Sequence, residues 1–382
     1  MSTLFLQSEI KNPYLFYQKM IDENPIYWDE SNKIWAIYSY KYCVEILNHK
    51  DSQIPPVSEK NLNEYALEIS RNLARLSNGI QHEIAKETAT ILFSNMKSIG
   101  IDSILSQLFK SHNNNKINWV ELICKKLPVL TILKSFNFND QDSLFIADNI
   151  EWLTKIMHPN KNPEDIKFIN CVSKEIYLIA ENHIRTLSFY ENLIAIISTK
   201  HNISHKETKS MFVSNLIGLF IQSYDAARGL LSNALLQCFS EGNNLDKTDK
   251  IQIQKLVAET IRFDPPIHNT RRIATEDIQI NDFIVRKNEI ILVVLAAANR
   301  DQKQFKNSML FDIERENNQE HLTFGTGGHM CLAKYFSIHL ATEALHYLFS
   351  NFKKISILEN EIENEPLINA RLPKAIWVLL SN

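Results

Sequence analysis

Glycine is scarce in this chain, at eight of 382 residues, and several other features are missing with it. No charge of one sign dominates: 41 Lys and Arg stand against 44 Asp and Glu, a net charge of -3, so there is no general footprint for nucleic acid. Long hydrophobic runs are missing too. The longest candidate, MFVSNLIGLFI from Met211, is about half a membrane crossing. The opening MSTLFLQSEIKNPYLFYQKMIDENP has no cationic segment followed by an apolar core. The expectation is a cytoplasmic protein with neither a nucleic-acid nor a membrane partner. Cys43, Cys124, Cys171, Cys238 and Cys331 are odd in number and lack C-x-x-C spacing, which argues against a disulfide framework and a zinc site. Four of them read as inert core residues. No repeat, low-complexity tract or Pro/Gly/Ser linker divides the sequence, so one domain is expected over residues 1–382, with monomer as the default state.

Against that scarcity, Gly325, Gly327 and Gly328 fall within four positions of FGTGGHMC, residues 324–331, which ends in Cys331. Glycine permits positive φ and lets backbone approach a flat ligand closely. The next run, LAKYFSIHLATEALHYLF, carries apolar Leu332, Tyr335, Phe336, Leu340, Ala344, Leu345 and Leu348 and reads as an amphipathic helix. Cys331 is thereby placed at a helix N-terminus, where the dipole favours a thiolate able to ligate iron. Most of the remaining chain is helical by period. Strand-like runs occupy 34–40, 267–285, 289–294 and 375–380. The longest helix is expected over about 206–240, with Asp225 and Arg228 at its centre. Glu259 and Arg262 lie three apart on one helical face that Pro265 and Pro266 end; taken alone, this is a solvated pair worth a few tenths of a kcal/mol.

FGTGGHMC resembles the haem-binding loop of the cytochrome P450 family, matching its pattern at Phe324, Gly325, Gly327, His329 and Cys331. Ala333 stands where the family usually has glycine. The opening helix and hairpin, residues 12–47, also resemble soluble bacterial members, so the likeness spans nearly the whole chain. It implies a mainly α fold with small peripheral β-sheets, holding haem b between a long central helix and the cysteine loop, with Cys331 as proximal iron ligand. Glu259 and Arg262 then match the E-x-x-R motif, and Arg315 in FDIER completes a buried structural triad that fixes the loop from behind. Propionate partners carried over from the family pattern are His82, Lys86, Arg272 and His329. Lys86 holds a place more often given to arginine and supplies a point charge without a bidentate fork. His82 and Lys86 also read as an exposed i, i+4 pair, and both readings stand.

The resemblance also marks a departure. Aligning Ser232–Leu235 with the end of the family's central helix sets Gln222–Ala227 over the usual Ala-Gly-x-Asp/Glu-Thr-Thr. The acid survives as Asp225; Ala226 replaces the alcohol that holds iron-bound dioxygen and relays protons. Peroxide leakage is expected unless Gln222, Ser223, a water or a substrate hydroxyl substitutes. Asp225 pairing with Arg228 is the structural alternative. Ile267, His268 and Asn269 match a pocket-lining stretch and, with Gln222, hint at a substrate bearing hydrogen-bonding groups. Helices at 144–157 and 164–185, joined by HPNKNP, match the family's mobile lid.

In function, the likeness implies a monooxygenase-type oxidoreductase that uses dioxygen to oxidise a small or medium organic molecule, in secondary-metabolite biosynthesis. No flavin or nicotinamide fingerprint is present, so electrons are expected from a ferredoxin-type donor with its reductase. Lys334 is a candidate docking cation for that donor. Coupling, desaturation or peroxide-driven oxidation is the alternative chemistry; a haem sensor with little turnover is the alternative class.

Overall fold

The computed structural model describes residues 2–112, 114–240, 245–358 and 361–381. Its contacts group the chain into two compact units: Met1–Gln53, Gly100–Lys125 and Asp225–Asn382 form the first, and Ile54–Ile99 with Lys126–Tyr224 the second. The fold is mainly helical with small sheets, as expected.

In the first unit, α1 (Pro13–Glu23) leads into the hairpin β1 (Ile26–Asp29) and β2 (Ile34–Ile37). With β3 (Ser52–Gln53), β5 (Thr270–Ala274) and β8 (Ile290–Val293) these make a five-stranded sheet in the order β1-β2-β8-β5-β3, in which β2 and β8 run parallel. Alternate residues of a strand face opposite sides. Ile291 and Val293 therefore enter a core with Ile37, Cys43 and Ile46, while Leu292 and Val294 enter another with Tyr14, Tyr17 and Ala36. Burial on both faces is why 290–294 is apolar without alternation. Two smaller sheets complete the β structure: β4 (Lys116–Asn118), β10 (Trp377–Ser381) and β9 (Lys354–Ile357) in the order β4-β10-β9, and the hairpin β6 (Ile278–Ile280) with β7 (Phe283–Val285). β1, β3, β4 and β9 fall outside the strand-like runs read from sequence, β1 being implied only by the resemblance; each is too short or too polar to alternate clearly.

The second unit is helical. Its helices include α2 (Gly79–Ser94), α3 (Asp140–Thr154) and α4 (Pro163–Ile184); α3 and α4 are joined by the stack of Trp152 on Phe168 at 4.0 Å, and Phe138, just before α3, stacks on His183 of α4 at 3.7 Å. Asn139 and Asn162 cap α3 and α4 through their side chains, satisfying otherwise orphaned backbone donors. Lys161 of the connecting segment donates to the carbonyls of His158 and Ser58. α5 (His205–Cys238) has 34 residues and so is about 51 Å long; the boundary between the units falls at Tyr224 and Asp225, within it. No helix among the described residues is long and apolar enough to cross a membrane. α6 (Lys250–Phe263) and α7 (Lys334–Asn351) return to the first unit and pack on one another.

Candidate active site

The cysteine loop closes on itself through backbone bonds. Cys331 N–H donates to Phe324 O at 2.9 Å, Gly325 N–H to Leu322 O at 2.8 Å, and Met330 N–H to Gly327 O at 3.2 Å. Gly325 and Gly327 have φ of +68° and +70°, a left-handed conformation that costs other residues energy. Gly327 has a second reason to be glycine, because a Cβ there would lie 2.6 Å from Asn48 Oδ1. A Cβ at Gly328 would meet nothing within 4 Å among the described residues. Ala333 caps α7 at φ -92°, ψ 16°, which alanine adopts without strain, so the loop tolerates the departure from the family pattern.

Two expectations about this segment change. α7 begins at Lys334, so Cys331 precedes the helix by three residues and does not sit in its first turn. The apolar face begins one turn late as well: Leu340, Ala344, Leu345 and Leu348 are buried, whereas Tyr335 is 76 % exposed. Cys331 itself is exposed, while Cys43, Cys124 and Cys238 are buried, and burial pushes the thiols of Cys124 and Cys238 up to about 12. Cys171 is also exposed, on α4, without any such loop. An exposed sulfur on a closed loop is chemically suited to hold a haem iron, which Cys331 would do as a thiolate.

Behind the loop lies a buried ionic cluster. Arg262 and Glu259 have fully buried side chains and form a bidentate pair, Nη2 to Oε1 at 2.6 Å and Nε to Oε2 at 3.0 Å. Arg315 Nε donates to the same Glu259 Oε1 at 3.1 Å. Arg262 spends its remaining donors on the carbonyls of Asn299, Ser308 and Leu310. Asn299 carries the connection onward: its Oδ1 accepts from Leu322 N–H at 2.7 Å, and its Nδ2 donates to Thr323 Oγ1 at 2.8 Å. Thr323 in turn donates to Ile261 O on α6. A continuous chain of bonds thus runs from the ion pair to the residue before Phe324. Sequence reasoning missed Asn299 and Thr323, since nothing in AAANRD or HLTF distinguishes a hydrogen-bonding hub from a loop asparagine.

The other expected residues lie on several different elements. Arg272 is buried on β5 and donates to Thr270 Oγ1 and Arg271 O; His329 is half-buried in the short turn of the cysteine loop. His268 is fully buried, its Nδ1 3.0 Å from Tyr17 OH, and burial followed by Arg371 and Arg300 drives its pKa well below the usual value. Asn269 Nδ2 donates to Ile368 O at 2.9 Å, and half-buried Ile267 bridges to Ala370. The hydrogen-bonding capacity that hinted at a polar substrate is thus engaged within the protein at Asn269 Nδ2 and His268 Nδ1, while His268 Nε2 is buried without a partner among the described residues. Asp225 and Ala226 are half-buried. Arg228 is 3 % exposed and binds Glu365 Oε1 at 2.5 Å and Pro373 O at 3.1 Å, so a carboxylate distant in sequence meets it.

Within the second unit, His82 and Lys86 are half-buried on α2, and His82 Nδ1 donates to Ala74 O at 2.8 Å. Gln222 is exposed and turns its amide back to Gly218 O at 3.1 Å; Ser223 donates to Phe220 O at 2.9 Å. Tyr224 OH donates to Glu151 Oε2 at 2.9 Å.

Known proteins share this combination of a long helix, small sheets and a mainly helical fold. The cytochrome P450 family model matches residues 252–369. Cytochrome P450 119 of Sulfurisphaera tokodaii is 25 % identical over 368 residues, covering 93 % of this chain and 96 % of its own. Pulcherriminic acid synthase of Bacillus subtilis is 23 % identical, covering 96 % and 95 %. Among solved structures, P450BioI in complex with hexadec-9Z-enoic acid ligated acyl carrier protein has the same fold, with a TM-score of 0.78 at 21 % identity over 97 % of this chain and 98 % of that one. Residues 252–369 thus match the cytochrome P450 family, and along nearly its whole length the chain is similar to cytochromes P450, oxidoreductases of the monooxygenase type.

Proposed function

We propose that Cys331 is the proximal thiolate of a haem b, and that the protein oxidises a small or medium organic molecule in a cytoplasmic biosynthetic pathway. The observation that carries this is the exposed Cys331 on its closed loop, fixed from behind by Glu259, Arg262, Arg315 and Asn299. Haem bound through a thiolate supplies an oxidant strong enough to attack C–H bonds. The chain's own contribution is to hold the sulfur at a set position. Arg272 and His329, with His82 and Lys86 carried over from the resemblance, are the proposed propionate partners. Electrons come from a ferredoxin-type donor and its reductase. The name of pulcherriminic acid synthase supports a biosynthetic role. The reduced protein treated with carbon monoxide should show the thiolate-type Soret shift, and Cys331→Ser should lose it. A wild-type protein without that shift would overturn the assignment.

A second reading, peroxide-driven or non-hydroxylating oxidation, is supported by Ala226, which offers no hydroxyl, and by Gln222, whose amide is turned to Gly218 O. Faster turnover with hydrogen peroxide than with ferredoxin and dioxygen would favour it.

A further inference from the structure

A cavity of about 270 Å³ opens between α6, the turn at Asn318–Glu320 and α7, wholly within the first unit. Its lining contains no carboxylate but includes Lys250, Lys334, His321 and Asn318, with Tyr335 and Ile338 as apolar walls. Lys250 is already matched, at 2.5 Å from Glu343. Lys334 reaches the carbonyl of Gln319, at 3.5 Å, and lies 5.8 Å from the centre of the Tyr335 ring, and no carboxylate among the described residues pairs with it.

Two buried polar side chains at this cavity have unused hydrogen-bonding capacity. His321 is 7 % exposed, and its Nδ1 accepts from Thr323 N–H at 3.3 Å, which leaves the ring proton on Nε2. That Nε2–H has no partner among the described residues. Asn318 is 9 % exposed, and its side-chain amide likewise makes no bond among them. Neither group belongs to the unpaired atoms sealed from solvent, so both reach the cavity wall. Both side chains line the same cavity as the Lys334 ammonium, so an anion that enters it meets polar groups that the protein leaves unused. Burial, followed by the nearby Lys334 and Arg262 charges, holds the His321 pKa down to about 3, so the ring is a neutral donor at ordinary pH.

We propose that this cavity binds a small organic carboxylate, whose oxygens accept from His321 Nε2–H, the Asn318 amide and Lys334, and whose apolar or aromatic body lies against Tyr335 and Ile338. A bare inorganic anion would use the donors and leave those walls uncovered. The inference does not rest on the haem assignment, although the two places adjoin. The His321 ring packs against Phe324 in a tilted pair at 5.3 Å, and Lys334 follows Cys331 by three residues, so two lining residues of the cavity flank the cysteine loop.

Benzoate titrated into the haem-loaded protein, followed by calorimetry and by ¹⁵N-imidazole NMR, tests this. The expected result is one saturable site, Kd on the order of 1 mM or tighter, with the His321 signals moving. His321→Phe and Lys334→Met should each weaken it about tenfold or more, while Lys255→Met, outside the cavity, leaves Kd unchanged. Lys334→Met keeps the test open if His321→Phe fails to fold. Absence of saturable binding, binding that both cavity variants leave unchanged, or inorganic phosphate binding as tightly as benzoate would each overturn the proposal.

Discussion

Glu259→Gln removes one charge and almost no volume from the cluster behind the cysteine loop. Both side chains of the Glu259–Arg262 pair are at 0 % exposure and that of Arg315 is at 6 %, so the substitution strips the counter-charge from one buried guanidinium and one nearly buried one. An amide keeps an acceptor oxygen, but its NH₂ group then faces donors. Breaking a buried pair in this way costs about 3–5 kcal/mol, because the remaining charge stays uncompensated. The control lies on the same helix. Lys255 and Glu314 are as close, at 2.6 Å, but 43 % and 66 % exposed, so Lys255→Ala should cost under about 1 kcal/mol. Since domains are stable by about 5–15 kcal/mol, the first loss is large and the second barely visible. Urea unfolding gives the two stabilities, and carbon monoxide difference spectra on the same samples give the fraction still holding haem. Glu259→Gln should lose haem before the surviving holoenzyme loses turnover. Equal effects of the two variants, or full haem retention by Glu259→Gln, would refute the argument from burial.

Three further outcomes are expected. Ala226→Thr should raise product formed per electron consumed; lost turnover would instead give the proton-relay role to Gln222 or the substrate. Lys334→Glu should slow reduction by an acidic ferredoxin at low salt, with the difference shrinking as salt screens the contact, and an unchanged rate constant would remove Lys334 from the docking site. Burial alone would raise the pKa of Asp29, but hydrogen bonds from Thr3 and Asn32 outweigh it and hold the carboxyl down to about 2. Its contribution is then fully present above the unfolded value of about 3.9 and is lost as pH falls through about 2. Acid unfolding of Asp29→Asn should show a shallower fall in stability across that window, and an identical slope would contradict the assignment.

How much of the molecule was legible beforehand depended on whether a local rule or a distant partner set each residue. FGTGGHMC was readable because positive φ is a property of single positions, and the doubly buried strand 290–293 was readable because its apolar run is local. Glu259 and Arg262 were not readable alone. An i, i+3 pair has the same spacing whether it faces water or core, and what decides is Arg315, 56 positions away, with the carbonyls of Asn299, Ser308 and Leu310. The contact of His268 with Tyr17 was not readable either, because the two lie 251 positions apart. Tyr335 looked buried by helical period, but period locates a face relative to other residues and not where along the helix the packing begins.

Asn299 also imposes an order on the bonds at the entrance to the loop. Its oxygen must take the Leu322 proton and its nitrogen must give one to Thr323, whose own hydroxyl proton is committed to Ile261 O, so every arrow in the chain points one way. A carboxylate in that place has no proton to give, an aliphatic side chain can neither give nor take, and glutamine places the same two groups one methylene too far. The cysteine loop is therefore aligned by a residue that cannot be exchanged for its chemical neighbours. Slow deamidation of this single buried amide would be enough to loosen the grip on Cys331 while leaving every residue of the glycine motif intact.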